Sequence, residues 1–141
     1  TQKLLPTRTK LNGYLTMQNK HTNHEYSFLE LYDAVIVWAD DRGIFEKATP
    51  LTQLSTTQEE LDETIEATEY FMKHDDKIMD VVDGVGDITV TLIILCEMLG
   101  IDFVDCLRYA YYQIKDRKGE MVDGLFVKEN EEIINLEYKD N

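Results

Sequence analysis

The 141-residue chain has little cysteine, no long apolar run and few positive charges. Its two cysteines, Cys96 and Cys106, fall in apolar helical stretches without the spacing of metal ligands, so we expect two buried, reduced thiols rather than a disulfide. The longest apolar stretch, residues 90–96, is far too short to span a bilayer. No secretory leader is visible, and we therefore expect a cytoplasmic protein without a membrane partner.

The shortage of positive charge is marked, because 14 basic residues stand against 28 acidic ones. Residues 1–24 contain four bases and no acid, so every acid lies in the rest of the chain. Such an acidic body repels nucleic-acid backbones and attracts cations, and we expect no nucleic-acid partner. An anionic substrate would need metal ions between itself and the protein.

Apolar residues make up 43% of the chain, which suits one globular domain with its own core. Their helical spacing predicts four helices joined by short connections, and hence an all-α, four-helix bundle-like fold. The predicted helices begin near residues 25, 55–57, 77 and 102 and end near residues 41, 73–76, 99 and 119. We expect a flexible arm at 1–24, a domain at 25–129 and a C-terminal tail at 130–141.

Local signals place several helix ends. Thr56 with Glu59 resembles a capping box at the second helix, and Asp102 with Asp105 resembles a cap at the fourth. Gly100 follows the third helix, as is common after a helix end. Residues 124–127 and 133–136 are expected to be two short strands or an extended tail.

Two helices indicate how the bundle packs. The second half of the third helix, residues 88–99, is apolar on nearly all sides, which predicts a central position or a subunit interface and favours a homo-oligomer. Along the fourth helix, the apolar side chains Phe103, Leu107, Ala110 and Ile114 are expected to form its core face.

Acidic residues recur on one face of each of two helices. Glu60 and Glu63 are three residues apart, and Asp80, Asp83 and Asp87 are spaced by three and four. Both faces continue into apolar residues, so these carboxylates are expected to be partly buried. Burying their negative charges costs free energy unless a bound cation compensates the charges. Oxygen ligands without His or Cys suit Mg²⁺ or Mn²⁺. The alternative is a solvated acidic face, produced by chance in an acidic chain.

Two glycines within the third helix favour the metal site. Gly84 and Gly86 each cost roughly 1 kcal/mol of helix stability relative to alanine. Their presence predicts that another helix or a ligand approaches the backbone between Asp83 and Asp87 closely.

Four segments, which together span about residues 30–129, resemble the MazG-like nucleoside triphosphate pyrophosphohydrolases, an all-α family with phage and prophage members. Residues 58–63 (Gln-Glu-Glu-Leu-Asp-Glu) resemble the family's Glu-Glu-x-x-Glu signature, and residues 83–92 resemble its second signature, in which Gly-Asp opens an apolar run. Residues 38–50 and 114–128 are similar to the N- and C-terminal segments of phage members.

The resemblance implies Mg²⁺-dependent hydrolysis of nucleoside triphosphates to the monophosphate and pyrophosphate, with Mn²⁺ as a substitute. It favours deoxynucleotides, purines among them, and a homodimer or homotetramer, phage-encoded and acting in a host cytoplasm. The implied metal ligands are Glu60, Glu63 and Asp87. The second signature of the family has a further Glu ligand at the position of Gly84 in this chain. Asp83, the preceding residue, is the natural substitute for that Glu, alone or paired with Asp80.

Further residues receive roles from the same resemblance. Glu59 or Glu63 is expected to orient or deprotonate the attacking water. Basic side chains that could contact the phosphates and an aromatic one that could stack on the base are Lys115, Arg117, Lys118 and Trp38. Bases near a helix C-terminus are also favoured by its dipole, and core or interface packing is the more common role for an aromatic ring.

Two other functions stay open. One is an acidic helical interaction module, such as a DNA mimic or a partner-binding protein. The other is a pyrophosphohydrolase specialised for dUTP, a modified nucleotide or (p)ppGpp.

Overall fold

The computed structural model describes residues 25–129, most of which are helical. The predicted arm at 1–24 and tail at 130–141 lie outside the described residues. The described elements, in chain order, are α1 (Phe28–Asp41), α2 (Ile44–Lys47), α3 (Pro50–His74), α4 (Ile78–Leu99), α5 (Phe103–Ile114), β1 (Gly119–Val122) and β2 (Leu125–Lys128).

The described residues belong to two compact units, 25–34 in the first and 35–129 in the second. In the described part of the first, Ser27 and Glu30 form a capping box. The Ser27 hydroxyl accepts the Glu30 N–H at 3.2 Å, and the Glu30 carboxylate accepts the Ser27 N–H at 2.7 Å. This reciprocal pair starts α1 at Phe28, three residues after the start that the sequence predicted.

The second unit contains the long helix α3, which begins earlier than predicted. Thr49 is its N-cap, with its side chain accepting the Thr52 N–H at 3.2 Å, and Pro50 is its first residue. Proline suits that position because its missing N–H would have no helical partner there. The predicted cap at Thr56 with Glu59 is therefore wrong: Thr56 lies inside α3, and its hydroxyl donates to the Thr52 carbonyl at 3.4 Å.

Helices α3 and α4 form an antiparallel hairpin around a short turn, in which Asp75 adopts a left-handed conformation with φ 54°. Gln53, near the start of α3, is buried, and its amide donates to the carbonyl of Thr91 in the second half of α4 at 3.1 Å. The apolar second half of α4 supplies most of the buried side chains, including Ile93 and Ile94. The prediction that this half is central to the fold is consistent with that burial.

Helix α5 and a β-hairpin complete the described chain. Asp102 caps α5 by accepting the Asp105 N–H at 2.9 Å, as predicted, but the helix ends at Ile114 rather than near residue 119. Strands β1 and β2 pair antiparallel around Asp123 and Gly124, both with positive φ, as a tight hairpin turn requires. The sequence predicted β2 but not β1, and its other predicted strand, 133–136, lies outside the described residues.

The apolar side chains of α5 are not buried as the sequence predicted. No residue of α5 is buried, and Leu107 is 66% exposed. The hairpin is exposed throughout, with Leu125 at 71%. Within the described chain, α5 makes only a small contact with α4, and no larger contact joins α5 or the hairpin to another helix.

The two cysteines differ in their surroundings. Cys96 on α4 is buried, whereas Cys106 on α5 is exposed, so the prediction of two buried thiols is wrong for Cys106. Both thiols are free. Across residues 25–129, no helix combines the length and the apolar character that crossing a membrane requires.

Candidate metal centre

Two rows of carboxylates face each other across the α3–α4 hairpin. Residues spaced by three or four lie near one face of a helix, and the antiparallel pairing brings the two acidic faces together. They line one hollow of about 360 Å³. Its lining residues are Glu60, Glu63, Glu66 and Ala67 from α3, and Asp80, Asp83, Gly84 and Asp87 from α4.

Gly84 sets how closely the two rows approach. It is buried, and a Cβ at this position would lie 3.0 Å from the Cβ of Thr64 on α3 and closer still to its hydroxyl oxygen. The Thr64 hydroxyl is held by donating to the Glu60 carbonyl at 2.6 Å. The predicted close approach is therefore present at Gly84, where the neighbour is α3. At Gly86, by contrast, a Cβ would meet nothing within 4 Å.

The hollow concentrates negative charge. Its six carboxylates are not accompanied by any Lys, Arg or His among the described residues that line it. Burial raises the pKa of Glu60, and the charges of Asp87, Glu63, Glu59 and Asp83 raise it further. Burial also raises the pKa of Asp87, with a further contribution from Asp83. Ionisation of these carboxyl groups is thus opposed in the folded protein, and a bound cation would relieve that opposition.

The predicted burial of the acids holds for only part of the set. Glu60 and Asp87, which face each other across the hairpin, are half-buried, whereas Glu63 and Asp83 are exposed. The two half-buried groups are the ones whose pKa is raised. Glu60 and Asp87 therefore form the inner part of the hollow, and the remaining acids form its open rim.

The donor set suits a hard divalent cation, since it consists of carboxylate oxygens alone. As the side chains stand in residues 25–129, however, no three His, Cys, Asp or Glu groups are close enough together to hold one metal ion. A metal ion would have to draw the side chains inward from positions that already surround a common space.

The structure brings together all four predicted metal ligands, Glu60, Glu63, Asp83 and Asp87, in this one hollow. Asp80, the alternative partner of Asp83, also lines it. Glu59, one of the two predicted catalytic residues, does not line it, although its charge contributes to the raised pKa of Glu60.

The predicted substrate-binding residues do not line the hollow. The Arg42 guanidinium lies over the Trp38 ring, 5.6 Å from its centroid. The Lys115 ammonium lies 5.7 Å from the centroid of Tyr112 and 3.4 Å from the Asp116 carboxylate. Lys118 lines a separate hollow at the base of the β-hairpin, and Arg117 lies exposed in the turn before β1.

One lining carboxylate, Glu66, was not predicted from the sequence. It continues the spacing of three that joins Glu60 to Glu63. Extending that spacing by one further step would have found it. The Glu-Glu-x-x-Glu signature that this segment resembles ends at Glu63 and so does not include Glu66.

Comparison of the chain with models of protein families, with curated proteins and with solved structures finds no significant match in any of the three. The resemblance of the two acidic motifs to the MazG-like family therefore stays a prediction.

Proposed function

We propose that the chain is a Mg²⁺-dependent pyrophosphohydrolase that converts nucleoside triphosphates, with deoxynucleotides favoured, to the monophosphate and pyrophosphate. The observation that carries this proposal is the hollow between α3 and α4, where six carboxylates converge without a lining basic side chain. The order of the two acidic motifs in the chain, similar to that of the MazG-like family, supplies the reaction.

The carboxylates account for metal binding. Glu60, Glu63, Asp83 and Asp87 would hold the ion or ions, and Mn²⁺ would substitute for Mg²⁺ because both accept oxygen ligands. The bound metal would neutralise the phosphate charges of the substrate, which the acidic protein surface would otherwise repel. In this proposal Asp83 takes the place of the family Glu, since Gly84 is needed where α4 contacts α3.

Glu63 is the better candidate of the two proposed catalytic carboxylates. It lines the hollow and is exposed, whereas Glu59 is outside the lining. Glu63 would accept a proton from water as the water oxygen bonds to phosphorus on one side of the α–β bridge. The bond between that phosphorus and the bridging oxygen breaks, and pyrophosphate and the nucleoside monophosphate separate.

We propose in addition that a second copy of the chain completes the helical bundle. The exposed apolar residues of α5 and the β-hairpin supply a surface that such a copy would cover. The phosphate contacts of Lys115, Arg117 and Lys118 and the base contact of Trp38 remain part of the proposal and would be made to a substrate that extends beyond the acidic hollow.

The test is to incubate the full chain with each nucleoside triphosphate and deoxynucleoside triphosphate, dUTP and (p)ppGpp, with Mg²⁺ or with EDTA. Products are separated by anion-exchange chromatography. We expect monophosphate and pyrophosphate from at least one nucleotide with Mg²⁺ and none with EDTA. Glu60→Gln and Asp87→Asn each remove one charged metal ligand, and we expect each to lower kcat/KM by about 100-fold or more.

The matched control is Glu69→Gln, which removes the same charge from an exposed position of α3 outside the hollow and should leave kcat/KM nearly unchanged. Isothermal titration with Mn²⁺ measures metal binding separately from turnover. If the chain binds Mn²⁺ and turns over only (p)ppGpp or only dUTP, the proposed reaction stands and that nucleotide is the substrate. A folded chain with neither turnover nor Mn²⁺ binding would overturn the proposal in favour of an acidic interaction module.

A further inference from the structure

The two cysteines of the chain lie on either side of the connection between α4 and α5. Cys96 lies in the last turn of α4, and Cys106 lies in the first turn of α5. The Cys106 side chain lies close enough to Cys96 to contribute to the raised pKa of the Cys96 thiol. Cys96 is buried and Cys106 is exposed, so one thiol is accessible to reagents while the other lies behind it.

The backbone of the connection holds the two residues in place. The Ile101 N–H donates to the Cys96 carbonyl at 3.0 Å, and the Cys106 N–H donates to the Asp102 carbonyl at 3.0 Å. Gly100 allows the reversal with φ 66°, in the left-handed region that glycine adopts readily. Each cysteine is thus hydrogen-bonded to one of two adjacent residues of the same corner, and this placement is independent of the acidic hollow.

We propose that Cys96 and Cys106 are a redox modification site that forms a reversible intramolecular disulfide with low-molecular-weight disulfides. In the first step the Cys106 thiolate attacks one sulfur of the reagent, breaks its S–S bond and releases one thiolate. In the second step Cys96 loses its proton to water and attacks the Cys106 sulfur, displacing the second thiolate. The two cysteines are oxidised and the reagent is reduced to two thiols.

The order of the two attacks follows from exposure. Cys106 lines an open hollow of about 560 Å³ beside Asp102, Asp105 and Tyr109. Burial, together with the neighbouring Cys106 and Asp102, raises the pKa of the Cys96 thiol to about 11, so Cys96 is almost wholly protonated at neutral pH. Its attack is expected to become faster as the pH rises.

Charge around Cys106 selects the reagent. The described residues that line its hollow include two carboxylates, of which Asp105 is paired with Arg108, so Asp102 supplies the net negative charge there. Negative charge attracts a cationic disulfide and repels an anionic one. We therefore expect cystamine, which carries two ammonium groups, to react faster than oxidised glutathione, and the difference to shrink at high salt.

The test treats the reduced full chain with cystamine at neutral pH and follows its intact mass. We expect the wild-type chain to pass through a mixed disulfide and then to lose two hydrogen atoms relative to the reduced chain. Cleavage after Glu97 separates the cysteines, so the disulfide would join a peptide that ends at Glu97 to one that begins at Met98. Cys96→Ser should stop at the mixed disulfide, and folded Cys106→Ser should react far more slowly.

Three results would overturn the proposal. The wild-type chain could retain the mixed disulfide as long as Cys96→Ser does, it could form a disulfide between two chains, or Cys106→Ser could react as fast as Cys96→Ser while folded. Circular dichroism establishes whether the variants are folded, and the wild-type mass measurement requires no variant at all. Activity on nucleotides does not enter any of these readings.

Discussion

At the scale of single residues, Gly84 and Gly86 make a matched pair on α4. A side chain at Gly84 would overlap Thr64, whereas one at Gly86 would enter open space. We expect Gly84→Ala to lower the free energy of unfolding by about 1–3 kcal/mol through overpacking. Gly86→Ala should raise it by up to about 1 kcal/mol, because alanine is the better helix former. Denaturation with urea measures both.

The control for Gly84 is the removal of its neighbour. Thr64→Ala in the Gly84→Ala background takes away the hydroxyl and methyl groups that lie closest to the new Cβ, and we expect it to restore part of the lost stability. Equal losses for Gly84→Ala with and without Thr64 would contradict the packing explanation.

These two glycines also show how far the sequence could predict the site. The cost of glycine in a helix correctly indicated a close approach at Gly84, where the neighbour is α3, whereas at Gly86 no part of the described chain approaches and approach by a ligand stays a prediction. Spacing along one helix identifies which residues share a face, and for this reason the acids Glu60, Glu63, Asp83 and Asp87 were predictable. Which of two nearby glycines touches the partner helix depends on the rotation of α4 against α3, and one helix alone carries no information about it.

The raised pKa of Glu60 leads to a pH prediction. Its folded-state pKa lies above the ordinary value of 4.5, so the folded chain binds this proton more tightly than the unfolded chain does. Without metal, the contribution of Glu60 to stability is therefore greatest below pH 4.5 and is lost as the pH rises through the folded pKa. We expect Glu60→Gln to be more stable than wild type at pH 8 in EDTA, and this difference to shrink towards pH 4.5.

Denaturation of wild type, Glu60→Gln and Glu69→Gln at several pH values checks this prediction. Glu69→Gln controls for the loss of one negative charge from an acidic chain, and its gain at pH 8 should be smaller. Saturating Mg²⁺ should stabilise the wild type more than Glu60→Gln. If the two Gln variants showed the same pH dependence, the hollow would have no special electrostatic role.

At the scale of the helix, the start of α3 offers a test of capping. The Thr49 side chain accepts the Thr52 N–H, whereas the Thr56 hydroxyl donates to a carbonyl of its own helix. Thr49→Ala should lower the free energy of unfolding by about 1 kcal/mol, a typical cost of losing an N-cap. Thr56→Ala is the matched control and should change it by less, since alanine is also the better helix former at an interior position. Urea denaturation of both variants decides which threonine is the cap, and a larger loss at Thr56 would contradict the structure.

The helix starts also explain which elements were predictable. The caps at Asp102 and the glycine after α4 were found because each depends on neighbouring residues. The predicted start of α3, near residues 55–57, was too late because the prediction gave no weight to Pro50, although proline is common in the first turn of a helix. Strand β1 was not predicted because its four residues are too few to show the alternation of apolar and polar side chains that indicates a strand. It is defined instead by its pairing with β2.

At the scale of the whole molecule, the exposed apolar residues and the charge act in opposite directions. A net charge of −14 keeps copies of the chain apart, most strongly at low salt. Apolar side chains on α5 and the β-hairpin, by contrast, favour association, because their burial removes apolar surface from water. A second copy of the chain could cover the apolar surfaces of α5 and the β-hairpin without bringing the acidic hollows together, provided that the contact is made through α5.

This balance predicts a homo-oligomer whose stability depends on salt and on α5. Light scattering after size-exclusion chromatography should give at least twice the 16.4 kDa mass of one chain, and association should strengthen as salt screens the repulsion. Leu107→Asp places a charge on the exposed apolar side of α5 and should shift the mass towards a single chain.

Val85→Asp is the control, because Val85 is also exposed and apolar but lies on α4, outside the proposed surface. An equal shift for both variants would place the interface elsewhere, and a single-chain mass for the wild type at all salt concentrations would show that α5 is not covered by a second copy.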